Sequence, residues 1–324
     1  LTEKLLSLLL AKLVNFIPEG GIWMNTQRPE WNDANNALVG KGLSMVTLCY
    51  LRRYIVYFKQ LIEQSDADNL QINVEILHFY KQIKEILLRF QDILTHSFND
   101  EQRCAMMDAL GMAGSNYRWE KNAQGFSGKF AQLLSADLGT FLDLTLRYVE
   151  HTLRANKRSD NLYHTYNILH LSDNTASVSS LYEMLEGQVA ILSSGFLSGE
   201  ESLALLESLR KSQLFVPDQY SYILYPDREI LGFLEKNCIP SKQVEDLSLV
   251  SALIKANDNT LLIRDEEGNY HFNGRIRNIK DVKKLLDSLR IQNQFSDLVE
   301  AESEKIEQLF EDTFHHDQDR KSVV

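Results

Sequence analysis

Cysteine is scarce in this 324-residue chain: Cys49, Cys104 and Cys238 are the only three, far apart and without a C-x-x-C spacing. This excludes a disulfide framework and a zinc signature, and the three read as buried thiols. Positive charge is also short. Lys and Arg number 34 against 45 Asp and Glu, a formal charge of -11, which argues against a nucleic-acid partner because such binding rests on clustered basic residues. No apolar run approaches the roughly 18 to 20 residues that span a bilayer, so no membrane partner is expected. Leu5 to Leu10 is flanked by Lys4 and Lys12 and lacks a small-residue cleavage site, so it reads as a helix and not as a signal core. Neither G-x-x-x-x-G-K-[ST] nor G-x-G-x-x-G stands between a strand and a helix, which disfavours nucleotide chemistry. His164 and His170 are six apart, a spacing that matches no standard two-histidine metal site. The expectation is therefore no metal and no cofactor.

At 44% hydrophobic residues the chain can bury a substantial core. It starts at Leu1 inside an amphipathic run, which reads as a piece of a longer polypeptide. Helical spacing recurs through Leu5 to Phe16, Leu38 to Gln64, Leu70 to His96, Cys104 to Leu110 and Asp137 to Ala155, then in Leu181 to Leu192, Glu200 to Leu209, Asp281 to Leu289 and Asp297 to Phe314. Gly111 to Lys129, rich in glycine, asparagine and aromatics, reads as a long loop, and Tyr163 to Leu171 as an extended segment. Leu261 to Arg264 and Asn269 to Phe272, joined by Asp-Glu-Glu-Gly, predict one small β-hairpin. The fold expected is mainly α, a toroid of helical hairpins or partial (α/α)6 barrel with that hairpin, forming one domain over 1–314 followed by a polar tail over 315–324.

The most informative stretch is Arg28-Pro-Glu-Trp-Asn-Asp-Ala-Asn-Asn36. Trp31 offers a flat apolar face for a pyranose ring, Asn32, Asn35 and Asn36 can hydrogen-bond hydroxyls, and Glu30 and Asp33 supply two carboxyl groups. Each also has a plainer role. Asp33 can cap a helix, Trp31 can anchor a core, and Glu30 can pair with Arg28. Glu183 and Glu186 share a helix face that points either into a cleft or into solvent.

Glu30-Trp-Asn-Asp-Ala-Asn-Asn36, followed by Val39-Gly40, Gly42 and Ser44, resembles the D-W-N-D-G-M-N...V-G...G...S segment of the cellobiose and chitobiose phosphorylases, inverting enzymes with an (α/α)6-barrel catalytic domain. Here Glu30 replaces the first aspartate, Ala34 the glycine and Asn35 the methionine. The resemblance implies that Asp33 is the general acid, that Trp31 lies beside the bound sugar and that Asn36 closes the motif. Further echoes are Tyr117-Arg118, Glu186-Gly-Gln188-Val-Ala-Ile-Leu-Ser193 against A-Q-S-W-A-V-L-S, and Tyr270-His271 against a Q-Y-T-H tract whose histidine contacts phosphate.

The resulting expectation is a carbohydrate-active enzyme or catalytic-domain fragment that cleaves a β-linked di- or oligosaccharide with inorganic phosphate as cosubstrate. Asp33 acts as acid and Glu30 as a second carboxylate. Trp31, Asn32, Asn36, Arg28, Gln188 and Tyr117 contact sugar, and His271 and Arg275 contact phosphate. Trp23 and Trp119 either line the same cleft or pack. The alternatives are an inverting hydrolase of the same fold, with a second carboxylate about 6.5–9.5 Å from the acid to activate water, and a non-catalytic helical carbohydrate-binding or assembly module. The partners expected are the oligosaccharide, the remainder of a longer polypeptide and, compatibly, a second copy in a homodimer. Dependence on phosphate favours the cytoplasm.

Overall fold

Leucine recurs every three or four residues in α1 (Thr2–Leu13), and Leu6, Leu9, Leu10 and Leu13 make one buried stripe. The same period buries Leu48, Leu51, Ile55 and Phe58 of α2 (Met45–Glu63), Phe79, Tyr80, Ile83 and Leu87 of α3 (Val74–Phe90), and Leu138, Phe141, Leu142 and Val149 of α5 (Ser135–Ala155). These four helices share the principal core, with α2 against α5 and α1 against α3. Between α3 and α5 runs α4 (Asp100–Gln124), opened by a capping box in which the Asn99 side chain and the Gln102 backbone, and the Gln102 side chain and the Asn99 backbone, bond reciprocally. A single 3-10 turn, Gln91–Thr95, links α3 to it.

The computed structural model describes residues 1–25, 37–65, 67–227, 235, 237–244, 246–292 and 295–314. They form two compact units, Leu1–Asp227 and Arg228–Val324. In the first, five strands build an antiparallel sheet in the order β1 (Phe16–Ile17), β2 (Gly21–Trp23), β3 (Gly42–Ser44), β6 (Tyr166–Ser172) and β7 (Thr175–Ser180). The register pairs Ile22 with Ser44, Ser44 with Tyr166, and Leu169 with Val178. Alternation then divides the side chains. Ile17, Leu43, Leu169 and Ala176 gather on one face against Cys104 and Met107 of α4, while Tyr166 and Ile168 gather with Leu38 on the other. A second hairpin, β4 (Asn69–Asn73) with β5 (Phe130–Leu134), buries Ile72 and Leu133. The unit is completed by α6 (Leu185–Ser193), α7 (Gly199–Lys211) and the short pair β8 (Phe215–Val216) and β9 (Ser221–Tyr222).

The second unit has its own core. It contains a 3-10 turn at Ser241–Gln243, α8 (Ser248–Lys255), the hairpin β10 (Leu262–Arg264) and β11 (Tyr270–Phe272), and the helices α9 (Ile279–Ile291) and α10 (Ser296–Phe314). Phe272 meets Phe310 edge-on at 5.0 Å, joining hairpin to helix. Glu302, buried on α10, accepts the free Ser248 and Leu249 backbone N–H groups at 2.9 and 2.8 Å, so one helix caps the next.

The predicted β10–β11 hairpin is present, but the mainly α toroid with one hairpin is not. A five-stranded sheet and three two-stranded ones accompany the helices. The stretch read as helix from Leu38 is helical at Leu38 but is then interrupted by β3 before α2 starts, with Ser44 as its N-cap, and the stretch read as helix from Leu70 begins within β4. The loop expected over Gly111 to Lys129 is helical as far as Gln124. Glycine, a helix breaker in the sequence reading, is tolerated there for packing: a Cβ on Gly114 would lie 2.8–3.1 Å from the Val14 side chain.

Candidate functional site

Arg28, Glu30, Trp31, Asn32, Asp33 and Asn36 fall within 26–36, outside the described residues. Their frame is described on both sides. The chain leaves the sheet at Trp23 and Met24 and returns at Gly40 to Gly42. Met24 N–H donates to the Gly42 carbonyl at 2.9 Å, Gly40 N–H to the Met24 carbonyl at 2.7 Å, and Trp23 Nε1–H to the Gly40 carbonyl at 3.0 Å. Asn25 adds a bond from Nδ2 to Asn15 Oδ1 at 2.7 Å. The motif is thus an excursion between neighbouring antiparallel strands with clamped ends. Gly42 is obligatory there, because a Cβ would meet Leu38 Cβ and Met24 Cε at 2.5 Å and the Leu38 carbonyl oxygen at 2.8 Å.

At the foot of this excursion Leu38, Tyr166 and Ile168 form a small buried cluster, with Met24, Val46, Leu181 and Met184 packed on it. Tyr166 sends its hydroxyl to Glu186 Oε2 at 2.7 Å. Glu183 and Glu186 do not share a helix: α6 begins at Leu185, so Glu186 occupies its first turn and Glu183 precedes it. Glu183 pairs with Arg158 at 3.3 Å, and Arg158 also binds Asp160 at 2.9 Å. That guanidinium, through its hydrogen bond, holds the Asp160 carboxyl below its usual range. Nearby His164 is pushed down, first by burial and then by the charge of Arg158. It is therefore neutral at pH 7, with Nδ1 buried and unpartnered among the described residues.

The remaining candidates are placed as follows. Gln188 is buried, donating from Nε2 to the carbonyls of Tyr163 and Met184 and accepting the Tyr163 N–H at Oε1. Its polar atoms are consumed in stapling α6 to the segment before β6. Tyr117, on α4, stacks on Phe79 at 4.4 Å. Trp23 packs on the Leu43 and Leu169 face of the sheet, whereas Trp119 is 74% exposed on α4. His271 and Arg275 belong to the second unit. The two ring nitrogens of His271 face Asp265 Oδ2, at 2.9 Å, and the Asn237 carbonyl. The Asp265 carboxylate raises His271, and His271 lowers Asp265 to about 2. Arg275 is exposed.

Sequence reasoning missed Tyr166. The signal was its two-residue alternation with Ile168 opposite Gly42 and Ser44, hidden by the brevity of β3. Among the described residues there is no cluster of three potential metal ligands, and no helix long and apolar enough to cross a membrane.

No curated protein matches the chain. Residues 230–317 match the family model for GH149 phosphorylase insertion domain 2, a stretch that contains both His271 and Arg275. This match relates the chain to glycoside phosphorylases of the GH149 type and not specifically to the cellobiose and chitobiose enzymes.

Proposed function

We propose that the chain carries the acid-bearing part of an inverting glycoside phosphorylase acting on a β-linked di- or oligosaccharide. Asp33 protonates the departing glycosidic oxygen, Trp31 stacks on a sugar ring, and Asn32, Asn36 and Arg28 bind hydroxyls. Inorganic phosphate attacks the anomeric carbon from the opposite face, so the product is a sugar 1-phosphate of inverted configuration and no enzymic base is needed. The observation that carries this reading is the coincidence of a clamped hairpin excursion bearing Glu30-Trp-Asn-Asp with a second unit matching a phosphorylase insertion domain. The long helix α2 is capped by Ser44, whose hydroxyl accepts the Thr47 N–H at 3.0 Å. Supply of phosphate favours the cytoplasm.

The full polypeptide, incubated with β-linked glucose disaccharides differing in linkage position, should release a sugar 1-phosphate only when phosphate is present. Asp33→Asn should lower that rate about 10²–10⁴-fold without moving the melting temperature, as loss of a general acid does. Phosphate-independent release of free sugar would select the hydrolase. Sugar binding without turnover in the wild type would select the non-catalytic module.

A further inference from the structure

The outer side of the α3 and α4 pair is a groove of about 680 Å³. On α4 it is lined by Ala109 and Ala113, side chains too small to fill the space between two helices that the stacked rings of Phe79 and Tyr117 hold together. Larger apolar side chains stand at its edges in contact with solvent: Leu88 of α3 is 44% exposed and Met112 of α4 is 60% exposed. A depression with exposed aliphatic walls on two regular helices has the form of a seat for another helix.

Two charges on the rim identify that helix. Glu85 and Arg89 are one turn apart on α3, in the order and at the spacing that favour an ion pair along a helix. They form none. Arg89 lays its guanidinium over the Phe90 ring at 4.8 Å, and neither Glu85 nor Arg89 has a hydrogen bond or ion pair among the described residues. A two-fold axis perpendicular to α3, passing between these two positions, lays the helix antiparallel on its own copy. Glu85 then faces the partner's Arg89, and Arg89 faces the partner's Glu85. Leu88, between them on the same side of α3, is brought over the groove of the other copy. Such reciprocity is what an isologous interface requires.

We propose that the α3 and α4 face pairs with the same face of a second copy of this chain about a two-fold axis, with Glu85 and Arg89 bridging reciprocally and Leu88 of each copy seated in the other's groove. The interface draws only on these two helices and does not depend on the sugar-site reading given above.

Sedimentation equilibrium of the full chain, with the single charge reversals Glu85→Arg and Arg89→Glu, tests this. The wild type should be dimeric at micromolar concentration. Each reversal sets like charges opposite one another twice, so each should raise the dimer dissociation constant about tenfold or more while leaving the helical circular dichroism unchanged. Mixed in equal amounts, the two variants should form a heterodimer, because two positive charges on one copy then face two negative charges on the other. The double reversal on one chain should dimerise as the wild type does. A reversal that merely disturbed its own helix would show neither recovery. A wild type that stays monomeric, reversals that leave the constant unchanged, or a mixture that stays monomeric each overturns the proposal. Should either reversal not fold, Met112→Ser decides alone: weakened association supports the interface and an unchanged constant overturns it.

Discussion

Glu19 shows how a single residue ties the sheet to the helices. It sits in the tight turn between β1 and β2 with φ 60°, a left-handed conformation unfavourable for a residue with a side chain. Five contacts hold it there. Its N–H donates to Thr152 Oγ1, its carbonyl accepts from Asn156, and its carboxylate meets Phe98 N–H, His151 and the buried Arg103. Burial alone would raise its pKa, but the hydrogen bonds from His151, Phe98 and Arg103 outweigh this and leave it lowered. A lowered carboxyl stabilises the fold fully above its unfolded value, near 4.5, and that contribution disappears as pH falls through the folded value. Glu19→Gln should therefore cost about 3 kcal/mol near neutrality, by leaving Arg103 short of charge, and the gap to wild type should narrow in acid. Melting temperatures across the acid limb check this, and a pH-independent gap would refute it. Nothing in Pro18-Glu19-Gly20-Gly21 beyond a turn signal announces the arrangement, because its partners are more than seventy residues away.

At the scale of elements, what could be read from sequence depended on length. The stripes of α1, α2, α3 and α5 are long enough for a 3.6-residue period to show, and the Asn99 start of α4 follows from its capping residues. Strands of two or three residues such as β1, β2 and β3 offer no period to detect, and β6 is broken by buried Asn167, whose Nδ2 donates to Gly20 and Asn156. Most of the sheet was thus invisible, with only β6 read as an extended segment, whereas the segment with Trp31 and Asp33 was conspicuous by composition. Tertiary capping is equally hidden. Leu247 gives α8 no side-chain cap, and Glu302 does that task from 53 residues away. Glu302→Ala should cost about 1–2 kcal/mol, the usual effect of losing an N-cap. Hydrogen exchange should show faster opening of the Ser248 and Leu249 amides with α2 and α5 unaffected; equal effects on both units would contradict the assignment.

For the whole molecule, the division of the core sets the energetic logic. The apolar clusters of the first unit draw on residues up to Leu214, and the cluster of the second begins at Ile239. Within the second unit the hairpin, α9 and α10 converge on Phe272, Phe310 and Phe314, and Asn237 is bound to Phe272 by both its amide nitrogen and its amide oxygen. The Ile239 and Tyr270 backbones pair next to it. The match to an insertion domain over 230–317 coincides with this self-contained set of contacts. A fragment spanning 230–317 should consequently fold alone, with a cooperative thermal transition and helical circular dichroism, and Glu302→Ala should lower its midpoint. The size is near the lower range at which a single core suffices, so its stability should be modest, about 3–5 kcal/mol by denaturant titration. A fragment that unfolds without cooperativity, while the full chain shows two separable transitions, would mean that the second unit draws its stability from groups outside its own core.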